Sequence, residues 1–207
     1  MITSQAEGSD WTTTLLRRGP WLTALLTTLA CLAGASPRLQ FDRDAVWAGE
    51  WWRVLSAHFV HYGSAHAIGD IVAFFGWGLV IEAVSRRLFA TTTFVACFVV
   101  GLGVLSLCPE AQYYAGLSAI DVALATVLLL VLWMSPRVRE IPGARFAVGL
   151  FAAGHVLKTL YELRTGMAIL APDLGVDVRL LPAAHLFGAL AGAAVFVVHR
   201  AGERRRR

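Results

Sequence analysis

Charged residues and cysteines are both scarce in this sequence. Asp, Glu, Lys and Arg together make up 15% of its 207 residues, whereas hydrophobic residues make up 57%. This composition excludes an ordinary soluble domain, because most of the chain must face lipid or pack inside a bundle. The three cysteines, Cys31, Cys97 and Cys108, lie in or beside apolar stretches and form no CxxC pair. They therefore indicate neither a zinc site nor a disulfide framework.

Six apolar runs are long enough, or nearly so, to cross a hydrocarbon core about 30 Å thick. They cover residues 20–36, 65–84, 88–107, 117–134, 145–161 and 181–199. No long polar linker or internal repeat divides them. The sequence therefore predicts an all-α integral membrane protein, with a six-helix domain at 20–199, a cytoplasmic tail at 1–19 and a basic cytoplasmic tail at 200–207. No clear cleavage site follows the first run, so we expect a retained span rather than a signal peptide.

The distribution of arginine predicts the orientation of these spans. Arginines gather before the first run, at 86–87, at 137–145 and in the C-terminal tail. The alternate loops, at 37–64, 108–116 and 162–180, are close to neutral. By the positive-inside rule both termini are cytoplasmic and these three loops face outward. The net charge of +4 then reflects topology and anionic lipid headgroups, so we expect no nucleic-acid partner.

Ionisable or polar side chains inside a bilayer are costly, and they are therefore candidates for function. Ser118 opens the fourth predicted span, and His185 lies about one turn into the sixth. Both spans run inward from the outer face, so the two side chains share a depth at which a Ser–His hydrogen bond can form. Either residue alone has a simpler interpretation, Ser118 as a helix cap and His185 as a packed or interfacial histidine. The pair at matching depth favours catalysis.

Small residues surround this predicted pair. Gly116 precedes the serine at a helix N-terminus, where free backbone N–H groups favour a developing negative charge. Gly188 and Gly192 form a small-xxx-small face below His185, which predicts close helix packing. Near the outer end of the second span, His66 and Asp70 share a face at i,i+4 and are predicted to support the oxyanion.

Two other groups of polar residues allow different interpretations. His58, His61, His66 and Asp70 are acceptable ligands for zinc or a similar ion, so a membrane metal-binding protein is an alternative function. Lys158 and Glu162, at i,i+4 near the end of the fifth span, are predicted to form a local ion pair rather than to act in catalysis.

Three segments together resemble the bacterial rhomboid proteases: GEWWR at 49–53, GLS at 116–118 and HLFGALAG at 185–192. The resemblance implies a six-helix core, a serine nucleophile on the fourth helix and a histidine base on the sixth, with no third acid and no cofactor. It also implies a bacterial inner-membrane protein whose site opens to the external face. Its partners are then the bilayer and membrane-anchored protein substrates, while the oligomeric state is not specified.

Further segments, at 113–118, 158–162 and 184–190, resemble the rhombosortase subgroup. That resemblance implies substrates with a C-terminal sorting tail that carries a glycine-rich motif, a transmembrane segment and basic residues. The chain departs from the family pattern at two positions. Ala119 follows the serine where the family has glycine, and Asp70 stands where the family has asparagine. These departures motivate another alternative, a catalytically inactive rhomboid-like protein that binds transmembrane segments.

Overall fold

The computed structural model describes residues 19–166 and 181–205, and its architecture is almost entirely helical. The helices are α1 (Trp21–Ala33), α2 (Arg43–Trp47), α3 (Arg53–Ser56), α4 (Ser64–Val84), α5 (Arg86–Leu107), α6 (Ser118–Met134), α7 (Pro136–Glu140), α8 (Ala144–Thr165) and α9 (Pro182–Arg204). A 3-10 turn at Ala57–Phe59 follows α3. Two short strands, β1 (Phe41–Asp42) and β2 (Tyr113–Tyr114), pair antiparallel, with Phe41 opposite Tyr114.

Each of the six predicted spans overlaps one helix of at least 13 residues. Three helices, α4, α5 and α9, are long and apolar enough to cross a membrane. Helices α1 and α6 are apolar but shorter, with 13 and 17 residues. Helix α8 has 22 residues but carries charged side chains near both ends. The predicted helical membrane fold is confirmed, whereas the number of spans and the side of the termini stay predictions.

Some predicted regions fall wholly or partly outside the described residues. They are the N-terminal tail up to residue 18, most of the outward loop at 162–180, and the last two arginines of the basic tail.

Helix α6 is the centre of the bundle. Every residue from Ala119 to Ala125 is buried, including the polar Asp121. A helix that is apolar on all faces must be surrounded by other elements, and α4, α5, α8 and α9 all pack against it. The N-terminus of α6 is therefore held by its neighbours on several sides.

Arg43, the first residue of α2, connects the segment before α4 to the end of α5 and to the loop before α6. Its guanidinium donates hydrogen bonds to the carbonyls of Val104, Leu105 and Cys108 at 2.9, 2.7 and 2.7 Å, and to that of Ala111 at 3.1 Å. The last carbonyls of a helix have no partner within the helix. Arg43 therefore caps α5 and, with the β1–β2 pair, fixes the start of the segment that leads to the N-terminus of α6.

The same loop carries three exposed tryptophans, Trp47, Trp51 and Trp52, whose accessible fractions are 64%, 51% and 54%. Indole rings favour the headgroup layer of a bilayer, because they combine an apolar ring with one N–H donor. This exposure agrees with the predicted position of the loop at a membrane surface.

Candidate active site

Ser118 is the first residue of α6, and its hydroxyl meets the imidazole of His185. The distance from Ser118 Oγ to His185 Nε2 is 3.0 Å. His185 lies in the first turn of α9 and is 3% exposed, whereas Ser118 is half-buried. A hydroxyl hydrogen-bonded to an imidazole nitrogen is the arrangement in which the imidazole can remove the hydroxyl proton.

Two glycines allow α9 to lie against α6. A Cβ at Gly188 would collide with the carbonyl oxygen of Ala119, and a Cβ at Gly192 would collide with that of Ala123. Both obstacles are backbone atoms, which cannot rotate away as a side chain can. Since Gly188 lies three residues after His185, this close contact also sets the distance between the histidine and the serine.

Asp70 accepts a hydrogen bond from the backbone of the candidate nucleophile. Its Oδ2 lies 3.0 Å from the Ser118 backbone nitrogen. The same oxygen lies 3.1 Å from His66 Nε2 and 3.4 Å from His61 Nε2. The Ser118 N–H is one of the donors that the sequence predicts for an oxyanion. In this structure it donates to a carboxylate instead.

The rings of His61 and His66 pack edge to face, with centroids 5.3 Å apart. Both side chains are buried. Sequence analysis named His61 only as a possible metal ligand. In the structure its Nε2 lies near the Asp70 carboxylate, as does that of His66.

Gly116 has a conformation that this corner requires. Its φ is 117°, a value that side-chain-bearing residues rarely adopt. A Cβ there would lie 3.0 Å from His66 Nε2 and 3.2 Å from Asp70 Oδ2. Any side chain at residue 116 would thus press on the groups beneath the Ser118 amide.

His58 stands apart from this cluster. It is fully buried, and its Nε2 lies 3.0 Å from the carbonyl oxygen of Cys97. Burial lowers the pKa of His58 to about 4, so its imidazole is neutral at physiological pH. Within residues 19–166 and 181–205, no group of three or more His, Cys, Asp or Glu side chains is arranged to hold a metal ion.

Glu162 is the site residue that sequence analysis did not assign to the chemistry. It is 1% exposed near the end of α8, and its Oε2 lies 3.3 Å from His185 Nδ1. Lys158 Nζ lies 2.7 Å from the other oxygen, Oε1. The predicted Lys158–Glu162 ion pair is thus present, but its carboxylate also faces the candidate base.

Asp121 is buried one turn after Ser118. Its Oδ1 has no hydrogen-bond partner among the described residues. We have no physical account of its role.

The family model of the Rhomboid domain matches residues 48–201 of the chain. This range begins in the tryptophan-rich loop and ends in α9, so it includes Asp70, Ser118, Glu162 and His185. No curated protein matches the chain.

Proposed function

The chain belongs to the rhomboid family of membrane proteins, and from this premise we propose that it is an intramembrane serine endopeptidase with Ser118 as nucleophile and His185 as general base. The observation that carries the proposal is the 3.0 Å separation of Ser118 Oγ and His185 Nε2. Family members are typically serine proteases that act within the bilayer. Of the remaining site residues, His66 and Gly116 are assigned to support of the oxyanion, and Asp70 to the orientation of the donor His66.

The reaction proceeds through an acyl-enzyme. His185 Nε2 takes the Ser118 hydroxyl proton as Oγ attacks the carbonyl carbon of the scissile peptide bond. The C–N bond then breaks, and the same proton passes from the imidazolium to the departing amine. Water, activated by the neutral imidazole, hydrolyses the ester and releases Ser118. No cofactor takes part in these steps.

The oxyanion requires donors near Ser118, and the nearest candidates are the Ser118 N–H and His66. Because Asp70 Oδ2 accepts from the Ser118 N–H, the oxyanion must take the place of the carboxylate during the reaction. A fixed donor of this kind contributes roughly 10²- to 10³-fold to turnover in other hydrolases.

The proposed topology and substrates follow from the number of spans and from the family resemblance. Six spans with both termini in the cytoplasm put the N-terminus of α6 toward the external face of a bacterial inner membrane. Proteins anchored by a transmembrane segment are then the substrates, and the rhombosortase resemblance narrows them to proteins with glycine-rich C-terminal sorting tails. The overlap of each predicted span with one helix supports this arrangement.

Labelling with a fluorophosphonate tests the nucleophile without a known substrate. Purified protein in bilayers is expected to gain one phosphonyl group, located on Ser118 by mass spectrometry. Ser118→Ala and His185→Ala are expected to reduce the labelling rate by roughly 10³-fold or more, since each removes one member of the pair. Equal labelling of wild type and Ser118→Ala would refute the assignment.

A catalytically inactive rhomboid-like protein that binds transmembrane segments is the second candidate function. The observation that favours it is the hydrogen bond from the Ser118 N–H to Asp70, which places negative charge where an oxyanion would form. Folded wild-type protein that binds membrane-anchored helices but never reacts with the phosphonate would favour this alternative.

A further inference from the structure

A third side chain completes a chain of contacts through the proposed catalytic pair. His185 Nε2 faces Ser118 Oγ at 3.0 Å, and on the opposite side of the ring Nδ1 lies 3.3 Å from Glu162 Oε2. Nδ1 is buried and has no hydrogen-bond partner among the described residues, and Glu162 Oε2 lies within ion-pair distance of it. Glu162 is therefore the acidic group placed to interact with this nitrogen.

Burial of the Glu162 carboxylate needs a physical reason, because an unpaired charge at such a site costs several kcal/mol. Lys158 supplies part of that reason. Its Nζ lies 2.7 Å from Oε1 and 2.9 Å from Oε2 of the carboxylate. The pair nevertheless directs Oε2 toward His185 rather than toward solvent, and a simple surface ion pair between α8 residues requires no such burial.

We propose that Glu162 is a positioning residue for His185, so that this member of the family works with a Ser–His–Glu arrangement instead of a pair alone. The inference rests on the proposed function of Ser118 and His185. A small adjustment of the 3.3 Å contact lets Nδ1–H donate to Glu162 Oε2, and this bond fixes the tautomer whose Nε2 lone pair faces Ser118. When the Ser118 proton reaches Nε2, the imidazolium lies beside the carboxylate and is stabilised by it.

Other titratable groups share the neighbourhood of His185 and bear on any pH profile. His155 lies one turn before Lys158 on α8, while α6 contributes Asp121 in addition to Ser118. Helix α5 also packs against α9, and its titratable residues are Arg86, Arg87 and Cys97. Of the carboxylates in the described residues, only Glu162 lies within ion-pair distance of His185.

The test measures the rate of fluorophosphonate labelling as a function of pH in wild type, Glu162→Gln and a matched control. Glu82→Gln is the control, since Glu82 is also a buried carboxylate but lies roughly 18 Å from Asp70 along α4. Glu162→Gln is expected to react roughly 10²-fold more slowly at neutral pH. The acid limb of its profile moves to lower pH, because the imidazolium has lost its stabilising charge. Glu82→Gln is expected to keep the wild-type acid limb.

Each outcome decides between the two proposals. A Glu162→Gln profile that matches wild type in rate and acid limb overturns the role of Glu162 while leaving the Ser118–His185 pair intact. Wild-type protein that does not label, or labels equally as Ser118→Ala, overturns the proposed function itself.

A second variant covers the case in which Glu162→Gln does not fold. Lys158→Met leaves the carboxylate in place without its balancing ammonium, so the imidazolium is stabilised more strongly. Its acid limb is expected to move to higher pH, opposite to the change in Glu162→Gln. An acid limb unchanged from wild type would overturn the inference.

Discussion

Three nitrogen atoms lie near one carboxyl oxygen of Asp70. Its Oδ2 accepts from the Ser118 backbone N–H at 3.0 Å and faces His66 Nε2 and His61 Nε2 at 3.1 and 3.4 Å. Two states are open to this side chain, a neutral carboxyl that donates to the oxyanion and a carboxylate paired with His66. An oxygen that faces three nitrogens, one of them a fixed backbone donor, favours the paired carboxylate.

Asp70→Asn is expected to preserve turnover or raise it by up to about 10-fold. An amide accepts less strongly from the Ser118 N–H than a carboxylate does, and it carries no negative charge to repel the oxyanion. The measurement is the rate of fluorophosphonate labelling at neutral pH, with thermal stability recorded in parallel. Ser64→Ala, an exposed position at the start of the same helix, serves as the control.

A folded Asp70→Asn variant that loses nearly all reactivity would contradict this expectation. It would show that the carboxylate itself is required, for example to hold His66 in position.

For individual residues, the sequence predicts how deep each side chain lies in the membrane. Ser118 and His185 were paired because both lie near the outer ends of predicted spans, although 67 residues separate them. Glu162 lies at a similar depth, immediately after the fifth predicted span at 145–161, and that signal could have identified it. Lys158 at i−4 obscured it, since a local ion pair already explains such a carboxylate. The contact with His185 depends on how α8 and α9 pack, which no local pattern encodes.

At the scale of helices, the contact between α6 and α9 depends on the absence of side chains at two positions. Gly188→Ala is expected to destabilise the protein by about 1–3 kcal/mol, because its methyl group meets a backbone carbonyl that cannot repack easily. It should also slow labelling, since displacement of α9 moves His185 away from Ser118. Thermal unfolding in bilayers or mild detergent measures the first effect.

Gly202→Ala is the matched control on the same helix. No atom lies within 4 Å of a Cβ built at Gly202, so alanine there is expected to be neutral or to stabilise the helix by up to about 1 kcal/mol. Equal stability of the two variants would refute the packing role of Gly188.

Helix positions were easier to predict than the connections between helices. Continuous apolar runs are local signals, and the predicted span at 65–84 differs by one residue from α4 (Ser64–Val84). The cap formed by Arg43 on the carbonyls of α5 joins residues more than 60 positions apart. The β1–β2 pair involves two residues on each side, which is too short for an alternating pattern to indicate.

At the scale of the whole molecule, the length of α6 determines how deep the nucleophile lies. Its 17 residues extend roughly 26 Å, whereas the hydrocarbon core is about 30 Å thick. If Met134 lies at the inner boundary, Ser118 lies several Å below the outer one. The polar loop that contains Gly116 must then enter the bundle from outside, and it does so against the buried His66 and the half-buried Asp70 rather than against lipid.

The orientation of the bundle is the last expectation, and it can be tested by reporter fusions. Fusions at residues 86–87, the first two of α5, and at 137–145, from α7 to the start of α8, are expected to behave as cytoplasmic because both segments carry arginine. Fusions at 108–116 are expected to behave as external. The loop at 162–180 is expected to be external as well, since α8 ends there and α9 must return from the same side.

A reporter placed after residue 200 should be cytoplasmic. If that reporter were external, the six-span topology would be wrong, and α9 would run in the opposite direction through the bilayer. His185 would then lie near the inner surface, about one membrane thickness from Ser118, which is incompatible with the hydrogen bond on which the proposed mechanism depends.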